Sequence, residues 1–64
     1  MKSYQERVVA EKTALDDKVA DLTAFIEHCD TFLDLPNDEQ NRLERQLNAM
    51  TAYSNILEER IAAF

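Results

Sequence analysis

A single proline, Pro36, interrupts a chain that otherwise contains no strong helix breaker, because its 64 residues include no glycine at all. Proline cannot sit in a helix interior, and it pushes the residue before it away from helical angles, so one boundary falls at Leu35-Pro36. The missing glycines remove the turns that need positive φ. They also exclude the phosphate-binding loop and the dinucleotide fingerprint, whose backbones only glycine can follow. Two helices and one short connection are what remains.

Apolar spacing fills in both helices. The stretch Ser3-Tyr4-Gln5-Glu6 reads as a capping box, with the Ser3 hydroxyl on the Glu6 N–H and the Glu6 carboxylate on the Ser3 N–H. From about residue 4 to 28, Val8, Leu15, Val19, Leu22 and Ile26 lie within roughly 40° of one line, which makes a core stripe. The connection, about 29–37, runs from Cys29 to Asn37, and Phe32 and Leu33 are expected to fold a short turn over its end. The second helix, about 38–63, starts either from an Asn37 cap with Gln40 three residues on or with Pro36 as its first residue. Its stripe of Leu43, Leu47, Met50, Ser54, Leu57, Ile61 and Phe64 alternates by four and three, a coiled-coil period. Long helices on a short connection run antiparallel. The expected fold is all-α, a two-helix hairpin over residues 1–64.

Such a hairpin is too small to close a core. A chain of this length buries only about 60% of its unfolded surface. One cysteine and one histidine supply neither a disulfide framework nor a zinc site. Beside the first stripe lie Tyr4, Ala10, Ala14 and Phe25. Beside the second lie Ala49, Tyr53, Ile56 and the edge of Phe64. These flanks predict a homo-oligomeric helical bundle of at least two hairpins, with an interface drawn from Phe25, Gln46, Ala49, Met50, Tyr53, Ile56 and Phe64.

Seven Lys and Arg against thirteen Asp and Glu give a net charge of −6. That balance argues against binding along a nucleic-acid polymer, which needs clustered cations. No apolar run reaches the roughly 18 residues of a membrane span, and no signal-peptide pattern opens the chain. The charge is also unevenly placed. Residues 1–18 and 42–64 each sum to zero, while 19–41 hold Asp21, Glu27, Asp30, Asp34, Asp38 and Glu39 with no Lys or Arg. Two readings fit: an acidic tip that keeps the oligomer dissolved, or a polarised molecule whose body holds anions that its tip repels.

Several polar residues stand close to the apolar stripes. Lys12 lies about 40° from the centre of the first stripe, where a strict core wants Leu or Val. It either snorkels or pairs with Asp16 to fix the register of the oligomer, or it neutralises a ligand phosphate or carboxylate at a subunit interface. On the second helix Gln46, Tyr53 and Arg60 recur every seven residues. A tyrosine ring and a guanidinium so spaced can stack a base and hold an anion, or they can form an amphipathic seam. Tyr4 has the same two readings. Arg7 and Lys18 complete the candidate ligand-binding set of Tyr4, Arg7, Lys12, Lys18, Tyr53 and Arg60. Adjacency of His28, Cys29 and Asp30 in sequence does not make a nucleophile, base and orienter. No catalytic residue, metal ligand or cofactor is expected.

Three segments carry a resemblance: Tyr4-Gln5-Glu6-Arg7-Val8-Val9-Ala10-Glu11-Lys12, then Leu15-Asp16-Asp17-Lys18, then Leu22-Thr23-Ala24-Phe25-Ile26. With Leu35-Pro36 and the closing Leu43-Glu44-Arg45-Gln46-Leu47, Met50, Tyr53, Ile56-Leu57 and Arg60-Ile61, they resemble a family of very short phage and prophage proteins labelled as related to a crAss-like phage protein. The resemblance spans nearly the whole chain. It implies expression in the cytoplasm of an infected bacterial host, as an accessory protein rather than a virion part. In architecture alone the chain also resembles the helical-hairpin sponges with which phages sequester the cyclic-nucleotide signals of CBASS and Thoeris immunity. The chain lacks their usual opening motif, so no site residue is carried over from them. The expected function is sequestration of a small nucleotide signal, a cyclic nucleotide or an ADP-ribose type, between protomers. The alternatives are an inhibitor or adaptor that docks a helical stripe onto a host protein, and a purely structural coiled-coil module.

Overall fold

The computed structural model describes all 64 residues and contains helices only. Helix α1 spans Ser3–His28, a one-turn α2 spans Asp30–Leu33, and α3 spans Asn37–Ala62. The all-helical class read from the sequence holds. No residue takes a positive φ and no peptide is cis.

The start of α1 differs from the expected capping box. The helix begins one residue earlier, and Ser3 lies inside it. The Gln5 carboxamide oxygen instead accepts the Lys2 N–H at 2.9 Å, and the first helical bond runs from Glu6 N–H to the Lys2 carbonyl. A carboxamide three residues on serves the Lys2 N–H as the expected Glu6 carboxylate would have served that of Ser3, with the register moved back by one residue.

The connection holds more order than a bare loop. Cys29 leaves helical angles at φ −109° and ψ 121°, which ends α1. The chain then turns once through α2 and buries Phe32, whose ring meets Phe25 edge-on at 6.0 Å between centroids. Leu33, expected beside Phe32 in that turn, is 70% exposed because a single turn can aim only one side inward. Pro36 flanks α3 rather than entering it, and its carbonyl accepts the first bond, from Gln40 N–H at 3.0 Å. Neither expected start applies as stated, since Asn37 is the first helical residue and caps nothing. The Gln40 side chain instead donates back to the carbonyls of Leu33 and Leu35, tying the connection to α3.

Helices α1 and α3 lie side by side in opposite directions. Tyr4 meets Phe64 at one end, and Lys12 meets Ser54 and Glu58 farther in. Each helix is about 39 Å long, and the whole chain measures 46 × 15 × 13 Å. Val8, Leu15 and Leu57 form the core, Leu57 being fully covered, with Val19, Met50 and Ile61 packed around them. The two stripes therefore meet as their spacing predicts. Only five residues are buried, so most of each helix faces outward.

Candidate functional site

The long sides of the helix pair carry different chemistry. One side holds a closed polar cluster. Lys12 Nζ donates to Asp16 Oδ2 at 3.0 Å and to Ser54 Oγ at 2.9 Å, and it lies 3.5 Å from Glu58 Oε2. The Ser54 hydroxyl in turn donates a hydrogen bond to Asp16 Oδ1 at 2.5 Å. A hydroxyl has one donor and spare lone pairs, so it can accept from the ammonium while donating to the carboxylate. Hydrogen bonds from Ser54 and then Lys12 hold the Asp16 carboxyl below its usual 3.8. The Asp16 hydrogen bond and the nearby carboxylates raise Lys12 above its usual 10.5, against some desolvation. Lys12 is thus engaged within the chain, and its charge is compensated there. Of the two roles open to it in the sequence, the pairing with Asp16 is seen, and it extends to the opposite helix.

The other side is open. At the end where the chain termini meet, the Tyr4 and Phe64 rings pack edge-on, 5.9 Å apart and 81° inclined. Arg7 follows Tyr4 by one turn and Arg60 precedes Phe64 by one turn, so each arginine is the helical neighbour of one ring of that pair. Helical rotation sets them about 90–100° from their core stripes, on the side away from Lys12. Lys2, Arg7, Lys18 and Arg60 enter no ion pair, whereas Arg42 is bound by Asp38 and Glu39 at 3.4 and 2.8 Å. Tyr53 lies two turns from Arg60 along the same side of α3 and is 43% exposed. Lys18 stands on the same side of α1, about 16 Å beyond Arg7.

The candidate residues therefore divide. Tyr4, Arg7 and Arg60 gather at the open end, Tyr53 and Lys18 continue along that side, and Lys12 faces the other way. Phe64 belongs to the gathered group, although the sequence assigned it only to an oligomer interface. Its helical place at the edge of the second stripe was the available signal. Among the other interface candidates, Gln46, Ala49, Tyr53 and Ile56 are exposed. Met50 packs against the core and Phe25 against Phe32, so both already have neighbours within the chain. Ser54 entered the sequence reading only as a member of the second stripe, and spacing alone gives no sign of its partnership with Lys12.

The helix pair encloses no cavity, and no group of His, Cys, Asp and Glu side chains is arranged to hold a metal ion. No helix is long and apolar enough to cross a membrane. What the open side offers is aromatic edges beside unpaired cations, a surface that fits an anion carrying a flat ring.

A family model described as Sequestin matches residues 2–63. No curated protein and no solved structure matches the chain.

Proposed function

The chain belongs to the Sequestin family, and from that premise we propose that it holds a small anionic nucleotide signal between two or more copies of itself, without transforming it. The family's name denotes sequestration. The observation that carries the finer reading is the open end, where the edge-on Tyr4 and Phe64 rings each have, one helical turn farther in, an arginine outside any ion pair, Arg7 and Arg60. A ring of the ligand stacks on the aromatic edge while the guanidiniums meet its phosphates. One chain encloses no cavity, and in this reading a second copy supplies the other wall. The setting we propose is a phage accessory protein of the crAss-like-related kind, acting in the cytoplasm of its bacterial host to blunt an immune signal.

Lys12 leaves the binding set in this reading, because its charge is already compensated by Asp16 and Glu58. Arg7→Ala combined with Arg60→Ala abolishes binding of cyclic dinucleotides, cyclic trinucleotides or cyclic ADP-ribose isomers in calorimetry, while circular dichroism stays unchanged. Lys12→Ala lowers thermal stability and leaves affinity within a few fold. Absence of any heat with the whole panel, together with no nucleotide in mass spectra of the purified protein's released small molecules, overturns the proposal.

A second reading has its own observation: Ile56 is 55% exposed beside Tyr53 on a regular helical line. That line suits docking onto a host helix, as an inhibitor or adaptor would use it. A stoichiometric host protein retained on the immobilised chain, and lost with Ile56→Glu, favours this reading over a sponge.

A further inference from the structure

The exposed large apolar side chains are not spread along the molecule. Met1, Tyr4, Tyr53, Ile56 and Phe64 all lie in the half that holds the termini, and Leu33 alone lies at the tip. On α3 the exposed line Gln46, Ala49, Tyr53, Ile56, Arg60 and Ala63 alternates by three and four residues. That is a second heptad seam, about 100° round the helix from the one packed on α1. On α1 the same side carries Tyr4, Arg7, Glu11, Ala14, Lys18 and Asp21 with the same alternation.

The chain's surface, 4703 Å², exceeds the roughly 4,200 Å² expected of a compact monomer of its mass. Two helices bury too little to stand alone with ease. A second copy is the one covering that every folded chain has at hand.

Charge decides how that copy lies. At the tip Arg42 answers Asp38 and Glu39, but Asp21, Glu27, Asp30 and Asp34 have no Lys or Arg partner, and only His28 stands near one of them. Copies laid parallel would set two such tips about 10 Å apart, close to the screening length of about 8 Å. Copies laid antiparallel send the tips to opposite ends.

We propose that the chain dimerises face to face and antiparallel, α3 on α3 and α1 on α1, through its terminal half, with the acidic tips pointing outward. The proposal rests on the self-association in the functional reading above. A two-fold axis between Tyr53 and Ile56 sets Tyr53 of one copy on Ile56 of the other, and Arg60 over the small Ala49. Each seam residue then meets a neighbour of complementary size. At the corresponding level of α1, Arg7 of each copy faces Lys18 of the other. Those like charges leave a gap that an anion closes, at the site assigned to the ligand.

A nitroxide on Asp34→Cys in a Cys29→Ser background measures the arrangement by pulsed dipolar spectroscopy. The helical rise predicts a tip-to-tip distance of about 55 Å. Ile56→Glu, at a position 55% exposed in the single chain, keeps its helicity and sediments as a monomer. Arg7→Glu tightens the ligand-free dimer at least several fold by pairing with Lys18 of the other copy. A dimer whose tip distance falls below about 35 Å overturns the antiparallel arrangement and leaves sequestration standing. A weaker Arg7→Glu dimer overturns the pairing at α1. A wild-type monomer in sedimentation, with nucleotide bound or absent, overturns both this arrangement and the site between copies.

Discussion

The terminal half and the tip of this molecule are made from the same two helices, yet they solve opposite problems. In the terminal half, Val8, Leu15 and Leu57 are covered, the Lys12 cluster is closed, and exposed rings accompany unpaired cations. At the tip, Phe32 is the one buried side chain, held by a single helical turn, and four carboxylates stand without a Lys or Arg. The contrast teaches that burial and binding surface have been concentrated at one end, leaving the other to provide charge and closure. A net charge of −6 therefore says little about what the terminal half can bind, since its local charge balance is near zero.

The sharpest way to break that contrast is Leu57→Ala. It removes the only fully covered side chain and costs about 3 kcal/mol, enough to abolish most of the stability of so small a chain. Urea titration followed by circular dichroism reads the loss. Phe32→Ala does less, because its burial supports one turn rather than the helix pair. It releases α2 and quickens amide exchange across residues 29–36, while the Val8 and Leu57 amides keep their protection.

The polar cluster gives a pH signature of its own. Asp16 has a lowered pKa, so its stabilising share is complete above 3.8 and is lost as pH falls through the folded value. Lys12 has a raised pKa, so its share is complete below 10.5 and is lost as pH rises through the folded value. The share of the melting temperature that Lys12 and Asp16 supply should thus be full in between and fall on both sides. Ser54→Ala lowers the plateau by about 5 °C and flattens the acid limb, because Ser54 is the largest cause of the Asp16 shift. Smallest of all is Asp34→Lys, an exposed change at the tip that stays within about 0.5 kcal/mol in thermal melts. A large effect there would mean the tip has a structural role after all.

Periodicity made the helices and their facing stripes legible, since Val8, Leu15 and Leu57 are where a 3.6-residue repeat puts a core. Local side-chain competition was less legible. Ser3-Tyr4-Gln5-Glu6 allows two capping registers, Glu6 back to the Ser3 N–H or Gln5 back to the Lys2 N–H, and spacing alone does not rank the second over the first. One-turn α2 is shorter than any period can show. Lys12 was visible as a misplaced cation, while Ser54 passed as one more member of the other stripe. Only aligning the stripes antiparallel brings them opposite. The open-end group of Tyr4, Arg7, Arg60 and Phe64 was half visible for the same reason, since its α1 and α3 members lie far apart in sequence and only the antiparallel pairing brings them to one end.

The hydroxyl of Ser54 also bears on how quickly this chain finds its shape. Heptad stripes repeat, so two helices can slide past one another by seven residues and still match apolar to apolar. Such a slip would set Lys12 against Leu47 or Ile61 in place of Ser54, leaving the ammonium without its hydroxyl and Ser54 without a partner. Slipped pairings are thereby raised in energy, and one deep basin replaces a row of similar ones. A short helical chain with that bias should fold in a single exponential phase, with no trapped population waiting to slide back.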